Sequence, residues 1–184
     1  MLFLIKERLK TYNARTIESP RHTWAGVIIP VFENNGNLFI TLTKRTDTVR
    51  IHKGEVSFPG GVYEECDGTR LETALRECFE EIGVRREDIE IIGRTDDLYT
   101  LTGYVITPYV GIIPYPYSFS TNPQEVAYLI HLPFDHLKNS QPVLEEAKHR
   151  GHLEWVPSIY YNGDRIWGAT CRILLNLKEI IQNA

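Results

Sequence analysis

Between Leu71 and Ile82 the residues repeat with the period of a helix, and no other stretch constrains the fold as tightly. At roughly 100° per residue, Leu71, Ala74, Leu75, Cys78 and Ile82 fall on one face, while Glu77, Glu80 and Glu81 stand at i, i+3 and i+4 on another. The spacing predicts a helix that lays its apolar face against a sheet. Like charges on neighbouring turns repel, by about a few tenths of a kcal/mol for an i,i+4 pair on an isolated helix. Something cationic is therefore expected above the acidic face. Arg76, four residues before Glu80, offsets part of that charge but cannot satisfy three carboxylates. Hard ions such as Mg²⁺ or Mn²⁺ can, because they take oxygen ligands and share them between carboxylates and substrate phosphates. The plainer alternative is a solvated acidic face.

A chain of 184 residues with 42% hydrophobic content suits one well-packed domain, 1–184, with the first 20 or so residues as a helical extension. A net charge of −4 argues against an extended nucleic-acid surface. Cys66, Cys78 and Cys171 form no CxxC pair and leave an odd count for any disulfide scheme, so they read as reduced thiols in the cytoplasm. The opening Met1–Ile5 is apolar, but Lys6, Glu7, Arg8 and Lys10 interrupt it well short of a signal or membrane-spanning length. It predicts an amphipathic helix to about Tyr12 and no membrane partner. A homodimer is left open.

Trp24–Phe32 and Leu38–Thr43 are apolar, β-branched runs around Glu33-Asn34-Asn35-Gly36-Asn37, a strong hairpin signal. Ile89–Gly93, Gly103–Ile113 and Val126–Leu132 are further strand candidates, and Pro108 suggests a bend or an edge in the second of them. A short helix near Pro133–Leu137 is expected. Ile173, Leu174, Leu177, Ile180 and Ile181 predict an amphipathic helix over Ala169–Ile181 that packs on the sheet. The fold class is α/β in the mixed, α+β sense, with the acidic helix against a mixed sheet.

The residues Gly61, Arg76, Glu77, Glu80, Glu81, Gly83 and Val84 resemble the Nudix box, G-x5-E-x7-R-E-U-x-E-E-x-G-U with U apolar. Arg76 arrives one residue late relative to Gly61, and Asp67 and Gly68 stand where the isolated Glu is expected. Both departures are usual in one branch of the family, the coenzyme A pyrophosphatases. Ahead of the box, Leu42-Thr43-Lys44-Arg45-Thr46, Arg50, and His52 through Gly61 look like that branch's signature. The likeness continues through Thr102–Gly111, Asn122–Val126 and Ile166–Thr170, and covers roughly residues 24 to 182.

The resemblance implies an α/β/α sandwich and metal-dependent hydrolysis of the diphosphate of coenzyme A or its thioesters, releasing 3′,5′-ADP and 4′-phosphopantetheine or its acylated form. Glu77 and Glu81 would be the principal ligands of Mg²⁺ or Mn²⁺, with Glu80 beside them and backbone at Gly60 and Gly61 completing the site. Arg45, Arg50, His52 and Lys53 offer cationic donors to substrate phosphates, although His52 could equally be a structural hydrogen-bonder. Glu55 is read as a metal ligand or, with slight preference, as a brace for Arg76. Glu125 is a candidate fourth carboxylate, as ligand or as the base that deprotonates water. Tyr99, Tyr104, Tyr109, Tyr115, Tyr117 and Trp155 are candidates for stacking on adenine, though most aromatics are core. Two rival readings stand beside this one. The first is hydrolysis of another nucleoside diphosphate derivative, such as ADP-ribose, NADH or a dinucleoside polyphosphate; the second is a binding module that senses such a ligand without turnover.

Overall fold

Two apolar strands, Thr23–Asn34 (β1) and Asn37–Arg45 (β2), are joined by Asn35 and Gly36, whose φ values of 49° and 80° form the left-handed two-residue turn that suits strand twist. They pair antiparallel from Asn34↔Asn37 to Val31↔Ile40. The computed structural model describes residues 1–18, 22–48, 52–100, 102–149 and 152–182.

Beyond Val31 and Ile40 the two strands part. Gly60–Val62 (β4) takes over the edge of β1 at Ala25–Val27, while Val56–Ser57 (β3) pairs with β2 at Thr43 and Lys44. Pro30 sits at this fork. The Ile28 N–H, on the same edge of β1, donates to the Pro59 carbonyl at 2.9 Å, so Pro30 presents no N–H where the partner strand changes. A fork in the sheet therefore leaves no orphaned donor at that point.

The chain opens with the helix Leu2–Thr11 (α1), and Arg70–Ile82 (α2) follows the fork. Glu90–Arg94 (β5), Leu98–Tyr99 (β6), Tyr104–Ile112 (β7) and Val126–Pro133 (β8) complete the main sheet. Its order is β3-β2-β1-β7-β5, with β4, β6 and β8 adding to β1, β7 and β2. The β1–β7 pair is parallel and the others antiparallel, so the sheet is mixed as expected.

Of the two readings of Pro108, a bend or an edge, the edge does not hold: β7 is not an edge strand. It lies between β1 and the β5–β6 segment, and Pro108 is tolerated because that second neighbour is interrupted opposite it. The Pro108 carbonyl accepts from Thr95 N–H at 3.1 Å in the gap, and the missing N–H faces the same break.

Phe134–Asn139 (α3) leads into Val143–His149 (β9), His152–Tyr161 (β10), Asp164–Trp167 (β11) and Gly168–Gln182 (α4). Strands β9 to β11 form a separate antiparallel sheet, absent from the sequence reading. Its β10–β11 turn is Asn162-Gly163, with φ of 50° and 88°, the same signal that identifies the first hairpin.

Alternation along β1 and β2 sends side chains to two cores. Ile28 and Phe32 meet Ala74, Leu75, Cys78 and Ile82 of α2 on one face. Ile29, Val31, Ile40 and Leu42 meet Ile5 and Leu9 of α1, Leu137 of α3, and Leu174 and Leu177 of α4 on the other. The sheet is thus covered by helices on both sides. Among the described residues no helix is long and apolar enough to cross a membrane.

Candidate active site

Helix α2 is capped at its start by Thr69, whose side chain accepts the Glu72 N–H, and at its end by Gly83. Its last carbonyls would be orphans, but a neighbouring loop supplies donors. Ser120 N–H reaches Ile82 O at 3.1 Å and Asn122 N–H reaches Glu81 O at 2.9 Å. The loop so anchored carries Glu125, and Asn122 Nδ2 donates to the Glu125 Oε1 at 3.3 Å. Three backbone contacts gather the surrounding segments: Arg45 N–H to Glu55 O, Thr46 N–H to Glu125 O, both at 2.9 Å, and Gly60 N–H to the Glu81 carboxylate at 3.3 Å. The end of β2, the β3–β4 segment, α2 and the Asn122–Glu125 loop therefore meet at the fork in the sheet.

Glu81 lies inside this junction, 2% exposed. Its partners are the Gly60 N–H and Arg45 Nη1 at 3.3 Å. Burial, reinforced by the charges of Glu77 and Glu125 and opposed by Arg45, pushes its carboxyl up to about 8. Burial also raises Glu77, whose carboxylate accepts from Arg76 at 2.9 Å. The side chain of Glu77 lies flat over Gly61, where a Cβ would come within 2.4 Å of its Oε1. Only glycine admits that approach.

Glu80 behaves differently. It is half-exposed and accepts from Arg76 Nη1 at 3.1 Å, the i,i+4 pair anticipated from the sequence. The expected trio is therefore two inward carboxylates, Glu77 and Glu81, with Glu125 from the loop close enough for its charge to act on both. Among the described residues no three His, Cys, Asp or Glu side chains close on a single point as they stand. The donor chemistry nevertheless fits a hard divalent cation. Glu81 is a buried carboxylate with one backbone donor and one long ion pair, and all the oxygens at the junction are of the type Mg²⁺ and Mn²⁺ prefer.

Arg76 is held chiefly by Asp67, through Nε at 2.8 Å and Nη2 at 3.1 Å. That bidentate pair holds the Asp67 carboxyl well below the usual carboxylate range, with Thr73 Oγ1 at 2.8 Å and Glu64 N–H adding to the effect. The role of Asp67 in orienting Arg76 was not read from the sequence, although its place at the position of the family's isolated Glu was the available signal. Glu55 does not brace Arg76. It pairs with His52 at 2.9 Å, which raises the His52 imidazole and makes His52 a loop tie. Arg45 turns inward to Glu81, and its Nε is buried without a partner among the described residues. Lys53 is exposed and Arg50 lies outside the described residues. Of the aromatic candidates, Tyr115 stacks on Phe32 at 4.7 Å and Tyr117 packs near Phe119, both on the loop after β7, whereas Trp155 stands on the second sheet.

The fold is an α/β/α sandwich: a mixed sheet covered by helices on both sides, with a glutamate-bearing helix closing over its forked edge. Residues 22–158 match the NUDIX domain model. A relative described as uncharacterized Nudix hydrolase NudL, from Photorhabdus laumondii, is 33% identical over 169 residues, covering 91% of this chain and 89% of that protein. A second of the same description, from Enterobacter sp. strain 638, is 36% identical over 156 residues, covering 83% and 80%. Among solved structures, a MutT/nudix family protein from Enterococcus faecalis superposes with a TM-score of 0.57 at 16% identity over 88% of this chain and 62% of that one. The C. elegans Ap4A hydrolase binary complex superposes at 0.52 with 14% identity over 60% and 80%. Both structural matches speak for the fold alone.

The chain belongs to the Nudix hydrolase family. It is accordingly a pyrophosphohydrolase, of a family that uses divalent metal ions.

Proposed function

We propose that the enzyme hydrolyses the diphosphate of coenzyme A or its thioesters to 3′,5′-ADP and 4′-phosphopantetheine or its acylated form. The observation that carries the site assignment is the pairing of Glu81, buried at the fork, with Glu77 laid over Gly61. Glu77 and Glu81, with Glu80 and the backbone at Gly60 and Gly61, would hold Mg²⁺ or Mn²⁺, which would neutralise charge on the diphosphate oxygens. Arg76, fixed by Asp67, holds Glu77 and Glu80 in place. Glu125 is the base: Asn122 orients its carboxylate, which accepts the proton of the attacking water. We further propose a single domain, 1–184, working in the cytoplasm with Cys66, Cys78 and Cys171 as free thiols.

The substrate assignment is supported by the residues running from Leu42 to Gly61 and by the one-residue shift of Arg76. One observation favours a second reading, hydrolysis of another nucleoside diphosphate derivative. Of the four cations expected to meet substrate phosphates, Arg45 is bound to Glu81, His52 to Glu55 and Arg50 lies outside the described residues, leaving Lys53 without a partner among the described residues. Mass spectrometry of the products after incubation with coenzyme A and Mg²⁺ or Mn²⁺ tests the first reading, and its expected products are 3′,5′-ADP and 4′-phosphopantetheine. Faster turnover of ADP-ribose, NADH or a dinucleoside polyphosphate would transfer the assignment to the second.

A further inference from the structure

The acidic face of α2 does not account for a cavity at the helix's C-terminal end. Its volume is about 600 Å³, and it lies between Phe79 and Arg85 on one side and Tyr117, Ser118 and Thr121 on the other. Glu80 and Asn122 also line it, and these two residues belong equally to the candidate active site. Around α2, Glu80 follows Phe79 by roughly 100°, with Glu77 and Glu81 beyond it. Cavity and acidic face are therefore neighbours on one helix.

Phe79 is an aromatic left 54% exposed in the last turn of a helix whose Ala74, Leu75, Cys78 and Ile82 are buried. Opposite it, Tyr117 is fixed in place: its hydroxyl donates to Asp88 at 2.8 Å and accepts the Arg85 N–H at 3.1 Å. The two carboxylates at the wall are engaged, Glu80 by Arg76 and Asp88 by Tyr117. The Arg85 guanidinium is exposed and has no hydrogen-bond or ionic partner among the described residues. The lining thus offers one open aromatic face, one available planar cation and several hydroxyls, in a volume within the range of small-ligand sites. A flat heterocycle carrying a sugar matches it, because a ring stacks on Phe79 while ribose hydroxyls find polar partners. A flexible aliphatic arm would leave those hydroxyls unused.

We propose that this cavity is the nucleoside subsite of the enzyme, with the base stacked on Phe79, the guanidinium of Arg85 at its edge, and the sugar toward Ser118 and Thr121. The diphosphate then emerges beside Glu80 and Asn122, facing Glu125. This rests on reading the acidic face as the hydrolytic site, and it places the recognition of the nucleoside on α2 and the loop after β7.

The test uses the full-length protein in EDTA and AMP as the probe, so that binding is read without turnover. Ligand-observed NMR should detect AMP, with ribose 5-phosphate binding at least tenfold more weakly. Phe79→Ala should weaken AMP by about tenfold and Phe79→Tyr should restore it; Arg85→Ala should weaken it severalfold. In the metal-loaded enzyme the same Phe79→Ala change should raise KM by a similar factor with kcat within about twofold. Equal binding of AMP and ribose 5-phosphate, or undiminished AMP binding by both Phe79→Ala and Arg85→Ala, would overturn the subsite while leaving the hydrolytic reading intact. Loss of the hydrolytic reading would instead appear as no cleavage of any nucleoside diphosphate derivative by the wild-type enzyme.

Discussion

Glu81 is a carboxylate placed where water scarcely reaches, and its burial has a measurable consequence once divalent metal is stripped away. Its proton is bound more tightly in the folded protein than in the unfolded chain, because the folded carboxyl titrates at about 8 against an ordinary 4.5. A raised folded value means that stability is fully present below the unfolded value and is lost as pH rises through the folded one. Thermal melts in EDTA should therefore show Tm falling from about pH 5 to pH 8, and Glu81→Gln should flatten that slope. A level wild-type profile would mean that Arg45 and the Gly60 N–H already compensate the charge. The same substitution should lower kcat by roughly three orders of magnitude in the metal-loaded enzyme, since it removes a ligand charge. Asp67 acts one step further out. Asp67→Asn breaks the bidentate grip on Arg76 and so loosens Glu77 and Glu80. A fall in kcat of about tenfold with little change in KM is expected, the size typical of residues that orient ligands. Steady-state kinetics at saturating Mn²⁺ would check it, and an unchanged kcat would reduce Asp67 to a structural cap.

At the scale of elements, the site exists because the C-terminal end of α2 and the Ser120–Glu125 loop complete each other's backbone hydrogen bonds. Gly83 is the tightest point between them: its φ is 71°, and a Cβ there would meet Ser120 at 2.8 Å. Gly83→Ala should cost about 1–2 kcal/mol and push the loop that carries Glu125 outward. Calorimetry would show the lowered Tm, and kcat should fall more than the stability loss alone explains. A variant with lower Tm and full kcat would detach Glu125 from the chemistry. Such cross-element contacts explain which parts of the site the sequence revealed. Glu77, Glu80 and Glu81 were legible because their spacing is fixed within one helix, and the β1–β2 hairpin because Asn35-Gly36 is a local signal. The Glu55–His52 pair, the inward turn of Arg45 and the capping of α2 by Ser120 and Asn122 depend on partners brought together only by the tertiary fold. The second sheet was hidden for another reason. Its strand β9, Val-Leu-Glu-Glu-Ala-Lys-His, lacks clean alternation, and Pro157 within β10 argues against a strand in the sequence, so only the Asn162-Gly163 turn announced it.

Considered as a whole, the molecule joins a large mixed sheet to a small antiparallel one, and a polar tie between them stands next to the chemistry. Asp164 of β11 accepts from Lys44 Nζ of β2 at 2.9 Å and from the Tyr128 hydroxyl of β8 at 2.9 Å. The side chains of Asp164 and Lys44 are 11% and 23% exposed, so the pair is largely shielded from solvent. Lys44 precedes Arg45, the residue bound to Glu81, so the tie holds the end of β2 from behind. Removing one partner of a buried pair leaves the other charge uncompensated, and partial exposure of Lys44 moderates the penalty to about 2 kcal/mol. Asp164→Ala should therefore lower Tm and, more tellingly, redistribute local stability. Hydrogen exchange should quicken in β10 and β11 while the parallel β1–β7 pair, buried beneath helices on both sides, keeps its protection. Uniform loss of protection across both sheets would instead show that they unfold as one unit, and that Asp164 contributes to the common core rather than to a hinge between two layers.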